Sequence, residues 1–141
     1  LPDGSAVYLL AAAVVRQDRG ETQREDLRSL CIADRRLHWH HEDHQRRART
    51  AQAVAGLPAD HLVVIGTRCV LAKQERARRQ VLQRLLWELD TRQVEHLLLE
   101  SRHPERDRHD LAAIGGMRNA RILSRRLRVD HAHPSDEVLL W

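Results

Sequence analysis

Two glutamates lie at positions where their carboxylates could bind metal ions for phosphodiester cleavage. Glu42 lies in a histidine-rich segment just before a basic stretch, and Glu100 ends the apolar run that begins at Val94. A carboxylate at the end of a buried strand must meet a cation, a donor or solvent, because burying it unpaired is costly. Two-metal chemistry needs several carboxylates converging on hard cations. We interpret both as candidate metal ligands. The alternative is that Glu42 is an exposed helix-start acid and that Glu100 pairs with Arg102.

A cluster of histidines surrounds Glu42. The segment holds His38, His40, His41 and His44, a composition that suits transition-metal binding. However, the zincin spacing His-Glu-x-x-His is not met, and no cysteine lies at ligand spacing. Three interpretations stay open: a zinc-binding hydrolase site, polar loop histidines, and His38 or His40 as a proton shuttle or phosphate contact beside Glu42.

Arginines follow both glutamates. Arg46 and Arg47 come directly after the histidine segment, and Arg102 follows Glu100 by two positions. Arginine binds phosphate in a bidentate manner, and the formal net charge of +4 suits a polyanionic partner. These three arginines are therefore candidate contacts to a nucleic-acid backbone. The alternative for each basic cluster is a solvated helix face.

The composition indicates a globular chain. Its 141 residues suffice for one domain with a core, and 42% are apolar while 31% are charged. No apolar run approaches the roughly 20 residues of a membrane span. Cys31 and Cys69 are expected to be two buried, reduced thiols, with a disulfide between them as the alternative. We therefore expect a cytoplasmic protein without a membrane partner. No Gly-rich phosphate loop, dinucleotide fingerprint or Ser/Cys nucleophile motif occurs.

Strand and helix patterns alternate along the chain. Apolar runs predict buried strands at residues 6–15, where Ala and Leu leave a helix possible, and at residues 93–100. They also predict a strand at residues 62–71, with Gly66 a possible bulge, and a short strand approached by residues 122–129. Helical spacing predicts helices at residues 21–33, 43–57, 73–89 and 107–123, the last begun by Asp107 or Asp110. This order indicates an α/β fold with a partly parallel sheet.

The order of these motifs resembles a large bacterial and phage family of unknown function with a ribonuclease H-like fold. Members open with Tyr-x-Asp-Glu-Ser-Gly, show a Glu near a His before a helix, and carry an acid at the end of a mid-chain strand. Leu37-His38-Trp39-His40-His41-Glu42 and Leu97-Leu98-Leu99-Glu100-Ser101-Arg102 resemble the second and third elements. Glu137-Val138-Leu139-Leu140-Trp141 resembles the approach to a closing Ala-Asp.

The resemblance implies a single ribonuclease H-like domain over residues 1–141, with a mixed sheet flanked by helices. It implies a metal-dependent nuclease using Mg²⁺ or Mn²⁺ rather than zinc, with Glu42 and Glu100 as ligands. The opening and closing acids of the family are absent, so we expect the first strand and last helix to be missing. A non-catalytic module of the same fold, binding nucleic acid or protein, is the alternative. An exposed strand edge would favour a homodimer formed by strand exchange.

Overall fold

Four strands and four helices make up the described part of the chain. The computed structural model describes residues 5–30 and 42–140. The elements are β1 (Ala6–Val14), α1 (Gly20–Ser29), α2 (His44–Ala55), β2 (Asp60–Cys69), α3 (Gln74–Thr91), β3 (His96–Glu100), α4 (Pro104–Asn119) and β4 (Arg128–Ala132). Short 3₁₀ turns lie at Gln17–Arg19, Leu71–Lys73 and Val138–Leu140. The predicted α/β class is confirmed. None of the described helices is both long and apolar enough to cross a membrane.

The chain divides into two compact units. The first unit contains residues up to 12 and residues 61–131, and the second contains residues 13–60 and 132–141. Each is described here by itself. The prediction of one domain over residues 1–141 stays a prediction.

The strands form two separate two-stranded sheets. β1 pairs with β2 in an antiparallel ribbon, and β3 pairs with β4 in parallel. The parallel register follows from two contacts: the Arg128 N–H donates to the Glu95 carbonyl, and the His96 ring lies 2.9 Å from the Asp130 carboxylate. A parallel pair needs a crossover connection, which α4 supplies.

The β1–β2 ribbon is partly covered on one face and exposed on the other. Exposure alternates strictly along β1 and nearly so along β2, so the prediction of a buried strand at residues 6–15 is wrong. The inner face packs on α3: a Cβ built on Gly66 would lie 2.7 Å from Val81 Cγ2. Glycine at this position therefore permits close approach of the strand to the helix.

The strand that ends at Glu100 is also less buried than its sequence predicts. Within β3 only Leu99 is buried, and Glu100 itself is exposed. The expectation of a carboxylate ending a buried strand is therefore wrong. The apolar residues of β3 are partly covered, and no burial cost falls on the Glu100 carboxylate.

Helix α3 forms the core of the first unit. The predicted apolar stripe is confirmed, since the side chains on one side of the helix are buried: Ala77, Val81, Leu82, Leu85, Leu86 and Leu89. Helix α4 contributes Ile114 and Met117, which are also buried. Burial of these apolar side chains stabilises the first unit.

Helix α4 begins earlier than predicted. Its N-cap is His103, whose ring accepts a hydrogen bond from the Glu105 N–H, and Pro104 occupies the first turn. The prediction that Asp107 or Asp110 caps the helix is wrong, because both lie inside it. Proline needs no N–H partner in the first turn, which favours this start.

Both long helices end in a left-handed residue that is not glycine. Gln93 after α3 has φ 61°, and Arg121 after α4 has φ 57°. In each case the next N–H reaches back five residues, from Val94 to the Leu89 carbonyl and from Ile122 to the Met117 carbonyl. This is the Schellman arrangement, which satisfies carbonyls at a helix C-terminus.

In the second unit, α1 packs on the 3₁₀ turn near residue 139. Gln23 is 1% exposed, and its amide donates to the Pro58 carbonyl at 2.8 Å. Arg24 binds the Glu137 carboxylate, with Nη2 2.8 Å from Oε2. This pair joins α1 to the segment near residue 137.

Candidate functional site

The carboxyl ends of β3 and β4 meet at one edge of the parallel sheet. Glu100 is the last residue of β3, and His131 is the penultimate residue of β4. Loops at the carboxyl ends of parallel strands are where α/β proteins place their ligands. We call this the carboxyl edge; it is the candidate site of the first unit.

A buried ion pair lies behind the carboxyl edge. Arg78 of α3 binds Asp110 of α4 through Nε at 3.0 Å and Nη2 at 2.7 Å, and the two side chains are 7% and 6% exposed. Burial raises the pKa of the Asp110 carboxyl, but the hydrogen bonds from Arg78, the positive charges of Arg78 and Arg102 and the contact with His131 together lower it below its ordinary value. Both groups are therefore ionised, and both carboxylate oxygens of Asp110 accept hydrogen bonds from Arg78.

Arg102 extends this network to the surface. Its Nη1 lies 2.8 Å from Glu75 Oε1, and its Nη2 lies 3.3 Å from Asp110 Oδ1. The hydrogen bond from Arg102 lowers the pKa of the Glu75 carboxyl. The guanidinium is thus held by two carboxylates beside the end of β3, at 21% exposure. Its contact with a nucleic-acid backbone stays a prediction.

His131 faces two carboxylates. Its Nε2 lies 3.5 Å from Asp110 Oδ2 and 3.8 Å from Asp107 Oδ1, and its side chain is 10% exposed. Asp107 also accepts from the Ser101 hydroxyl at 2.5 Å and from the Arg102 N–H at 3.1 Å. Burial opposes ionisation of Asp107, but these hydrogen bonds hold its pKa below the ordinary value. The imidazole of His131 thus lies between two carboxylates of α4.

These residues are not recognisable as a group from the sequence alone, where Asp107 or Asp110 is predicted as a helix cap. A signal was available: Ser101, Asp107 and Asp110 follow an acidic strand end, with the two acids three residues apart on one helix face. Arg78 and His131 carry no such signal, because only the tertiary fold brings them to the acids.

Glu42 lies in the second unit, immediately before α2. Its Oε2 lies 2.5 Å from Arg46 Nε, and both side chains are 23% exposed. The Arg46 guanidinium also donates to the Leu30 carbonyl at 3.1 Å. Asp43 caps the helix by accepting from the Arg46 N–H. Glu42 is thus the helix-start acid of the alternative interpretation, and it is paired with an arginine.

Helix α2 carries the other predicted phosphate contacts. It spans twelve residues without a single Asp or Glu, and Arg47 and Arg49 stand in its first half. Positive side chains near a helix N-terminus are electrostatically unfavourable unless an anion is nearby. Asp43 and Glu42 supply such negative charge, so the arrangement is explained without a ligand.

The predicted metal ligands are not brought together in one unit. Glu100 belongs to the first unit and Glu42 to the second, while His38 and His40 lie outside the described residues. Within residues 5–30 and 42–140, no three His, Cys, Asp or Glu side chains are grouped as metal ligands. The Mg²⁺ or Mn²⁺ site and the zinc alternative both stay predictions.

Comparison of this chain with protein-family models, curated proteins and solved structures found no match.

Proposed function

We propose that this chain is a ribonuclease H-like module of a cytoplasmic metal-dependent nuclease that acts on nucleic-acid phosphodiesters. The observation that supports the proposal best is the position of Glu100 at the carboxyl edge of the parallel β3–β4 pair. An exposed carboxylate at such an edge can approach a substrate, whereas a buried one cannot. The resemblance of the Glu100 and Glu42 segments to a family of this fold also supports it.

The donors near Glu100 differ in their fitness for a metal ion. Glu100 offers an exposed carboxylate, the ligand type that Mg²⁺ prefers. Asp107 and Asp110 fit poorly, because their oxygens already accept from Ser101, Arg102 and Arg78. Among the acids of the first unit, Glu100 is therefore the residue that would bind Mg²⁺ or Mn²⁺. The metal would stabilise negative charge on the phosphate and activate water.

The remaining roles belong to side chains of this chain. His38 or His40 would move a proton beside Glu42. Arg46, Arg47 and Arg102 would bind the phosphate backbone and orient it. Of these, Arg102 is the best positioned, since Glu75 and Asp110 fix its guanidinium near the carboxyl edge.

The second candidate is a non-catalytic module of the same fold that binds nucleic acid. Two contacts favour it: Glu42 is paired with Arg46, and Arg102 with Asp110. Ion pairs of this kind reduce the capacity of a carboxylate to bind a cation. The acid-free helix α2 would then supply the positive surface.

The test is cleavage of labelled single- and double-stranded DNA and RNA in the presence of Mn²⁺. The variants are Glu100→Gln and a matched control, Glu95→Gln, which alters an exposed glutamate just before the opposite end of the same strand. The nuclease proposal predicts that wild type and Glu95→Gln cut and that Glu100→Gln loses at least about a hundredfold in rate. Equal cutting by all three would point to a contaminating nuclease and contradict it.

Binding of the same oligonucleotides, measured over a range of salt concentrations, decides the second candidate. Binding that weakens with salt, without cleavage by any variant, would establish the non-catalytic module. If the protein neither binds nor cleaves these oligonucleotides, both candidates are rejected.

A further inference from the structure

Helix α3 carries a second row of side chains on the side opposite its apolar stripe. The row recurs at intervals of three and four residues and consists of Arg76, Gln80, Gln83 and Trp87. All four side chains are exposed, and so are Arg79 and Arg84, which flank the row. We call these six residues the outer face of α3. It contains arginine, glutamine and tryptophan but no acid.

Trp87 leaves part of its indole ring in contact with water. The residue is 45% exposed, although its neighbours Leu86 and Leu89 are buried. The Arg84 guanidinium lies over the ring, with Cζ 4.7 Å from the ring centroid, and it also donates to the Glu88 carboxylate. This cation–π contact orients the tryptophan. An oriented, exposed aromatic ring is a surface on which another planar group can stack.

The acids of α3 already accept hydrogen bonds from other side chains. The pairs of acid and donor are Glu75 with Arg102, Glu88 with Arg84 and Arg92, and Asp90 with Ser124. Within residues 5–30 and 42–140, Arg76 and Arg79 form no ion pair. Their positive charge is therefore available to an anionic partner. The partner that suits the outer face of α3 is negatively charged and offers a planar group.

The outer face of α3 begins beside the carboxyl edge. Arg76 directly follows Glu75, whose Oε1 lies 2.8 Å from Nη1 of Arg102, just after the end of β3. Trp87 lies about 16 Å farther along the helix, at a rise of about 1.5 Å per residue. An extended strand that reaches Glu100 can therefore continue along α3 as far as the tryptophan.

We propose that the outer face of α3 binds single-stranded nucleic acid. Arg76 and Arg79 bind phosphates, and one base of the strand stacks on Trp87. A duplex can engage only the arginines, because its bases are already stacked on one another. The inference rests on the proposed function in one respect, since the partner is nucleic acid. Binding at this surface requires neither a metal ion nor the carboxylate of Glu100.

Fluorescence anisotropy with labelled oligonucleotides, in EDTA to prevent cleavage, tests the proposal. Wild type should bind single-stranded DNA or RNA more tightly than a duplex of the same length. Trp87→Ala removes the stacking ring and should weaken single-strand binding by about tenfold, whereas Trp87→Phe should retain most of the affinity. Leu111→Ala is the matched control, because Leu111 on α4 is also 45% exposed; its affinity should equal that of wild type.

The salt dependence of the same binding tests the arginines. Each phosphate contact on a single strand contributes about −0.7 to the slope of the logarithm of the binding constant against the logarithm of salt concentration. Arg76→Gln should therefore make that slope less steep by about 0.7. Arg108→Gln removes the same charge from an exposed position on α4 and should leave the slope unchanged.

Tryptophan emission locates the stacked base. A bound single strand should quench the emission of wild type, and Trp87→Phe should bind the strand without that quenching. A variant that had merely lost its fold would not keep its affinity while losing the quenching. Circular dichroism of each variant, with thermal unfolding, establishes that weaker binding is not loss of fold.

Failure of this inference and failure of the proposed nuclease give different results. If Trp87→Ala and Arg76→Gln both bind as wild type does, the inference is overturned while the proposed function stands. Absence of single-strand binding by wild type overturns the inference even where Mn²⁺-dependent cleavage is found. Wild type that binds through these residues but never cleaves rejects the nuclease and supports the outer face of α3 as a binding surface.

Discussion

Arg78 and Asp110 form a bidentate ion pair inside the first unit, joining α3 to α4 across 32 positions of sequence. The pair is nearly excluded from solvent, at 7% and 6% side-chain exposure. Burial lowers the pKa of the Arg78 guanidinium, but its interactions with Asp110 and Tyr8 together raise this pKa above its ordinary value. The pair therefore stays charged, and neither partner can be removed without leaving the other buried.

Removal of one partner is expected to destabilise the protein strongly. Asp110→Leu leaves the Arg78 charge buried without its carboxylate, which costs about 3–5 kcal/mol in free energy of unfolding. The double variant Arg78→Met, Asp110→Leu should recover most of that loss, because apolar side chains replace both charges. Urea denaturation measures each value. Arg84→Met, which breaks an exposed pair with Glu88, is the control and should cost less than about 1 kcal/mol.

Low pH should reduce the free energy of unfolding by protonating the carboxylates beside this ion pair. The pKa values of Asp107 and Asp110 lie below their ordinary values in the folded state. Their contribution to stability is therefore present above the unfolded-state pKa and is lost as pH falls through the folded pKa. The urea concentration at the midpoint of wild-type unfolding should decrease once the pH is lowered below about 5, where carboxyls of the unfolded chain begin to protonate. Asp110→Asn should show a flatter dependence, and an identical slope in both proteins would contradict this.

Alanine at Gly66 should push the ribbon away from α3. The new Cβ would lie 2.7 Å from Val81 Cγ2, and Val81 is 4% exposed, so it has no space to move. The expected loss is about 1–3 kcal/mol, measured by thermal or urea unfolding.

Two comparisons isolate that steric cause. In the double variant Gly66→Ala, Val81→Ala, the two losses should be less than additive, because the shorter side chain removes the clash. Gly116→Ala in α4 meets no atom within 4 Å and should stabilise the helix by about 0.5–1 kcal/mol. Additive losses in the double variant would reject the contact as the cause.

Glycine at the two left-handed positions should stabilise the protein. Gln93 and Arg121 adopt φ 61° and 57°, a region that costs an L-residue about 1–2 kcal/mol and glycine nothing. Glycine loses more conformational entropy on folding, which offsets part of this gain. Gln93→Gly and Arg121→Gly should therefore each raise the free energy of unfolding by about 0.5–1 kcal/mol. The readout is the thermal midpoint. Gln93→Ala keeps the strain and should show no such gain.

Sequence periodicity predicted the elements well and their burial less well. The apolar stripe of α3 and the strand at residues 6–15 follow directly from local pattern, and both are present. The strand at residues 6–15 was predicted as buried because its run is continuously apolar. An apolar residue can still face outward, so composition does not show how many faces of a sheet are covered.

The candidate site was less predictable than the fold. Glu100 was found because it interrupts an apolar run, a local signal. The contacts of His131 with Asp107 and Asp110 depend on the parallel pairing of β3 with β4, which no short segment encodes. Whether Glu100 and Glu42 share a metal ion stays a prediction, since each lies in a different compact unit.

The pairing of β1 with β2 has a consequence for how the chain folds. Residues 15–59 separate the two strands, so β1 has no partner until that whole segment and β2 have left the ribosome. Contacts between distant segments form slowly, because loop closure costs entropy before the contact gains any energy. Val7, Leu9 and Ala11 thus remain without their β2 partner until the segment between the two strands has been synthesised. Over that interval β1 is an apolar strand with an unpaired edge, the kind of segment that is prone to aggregation.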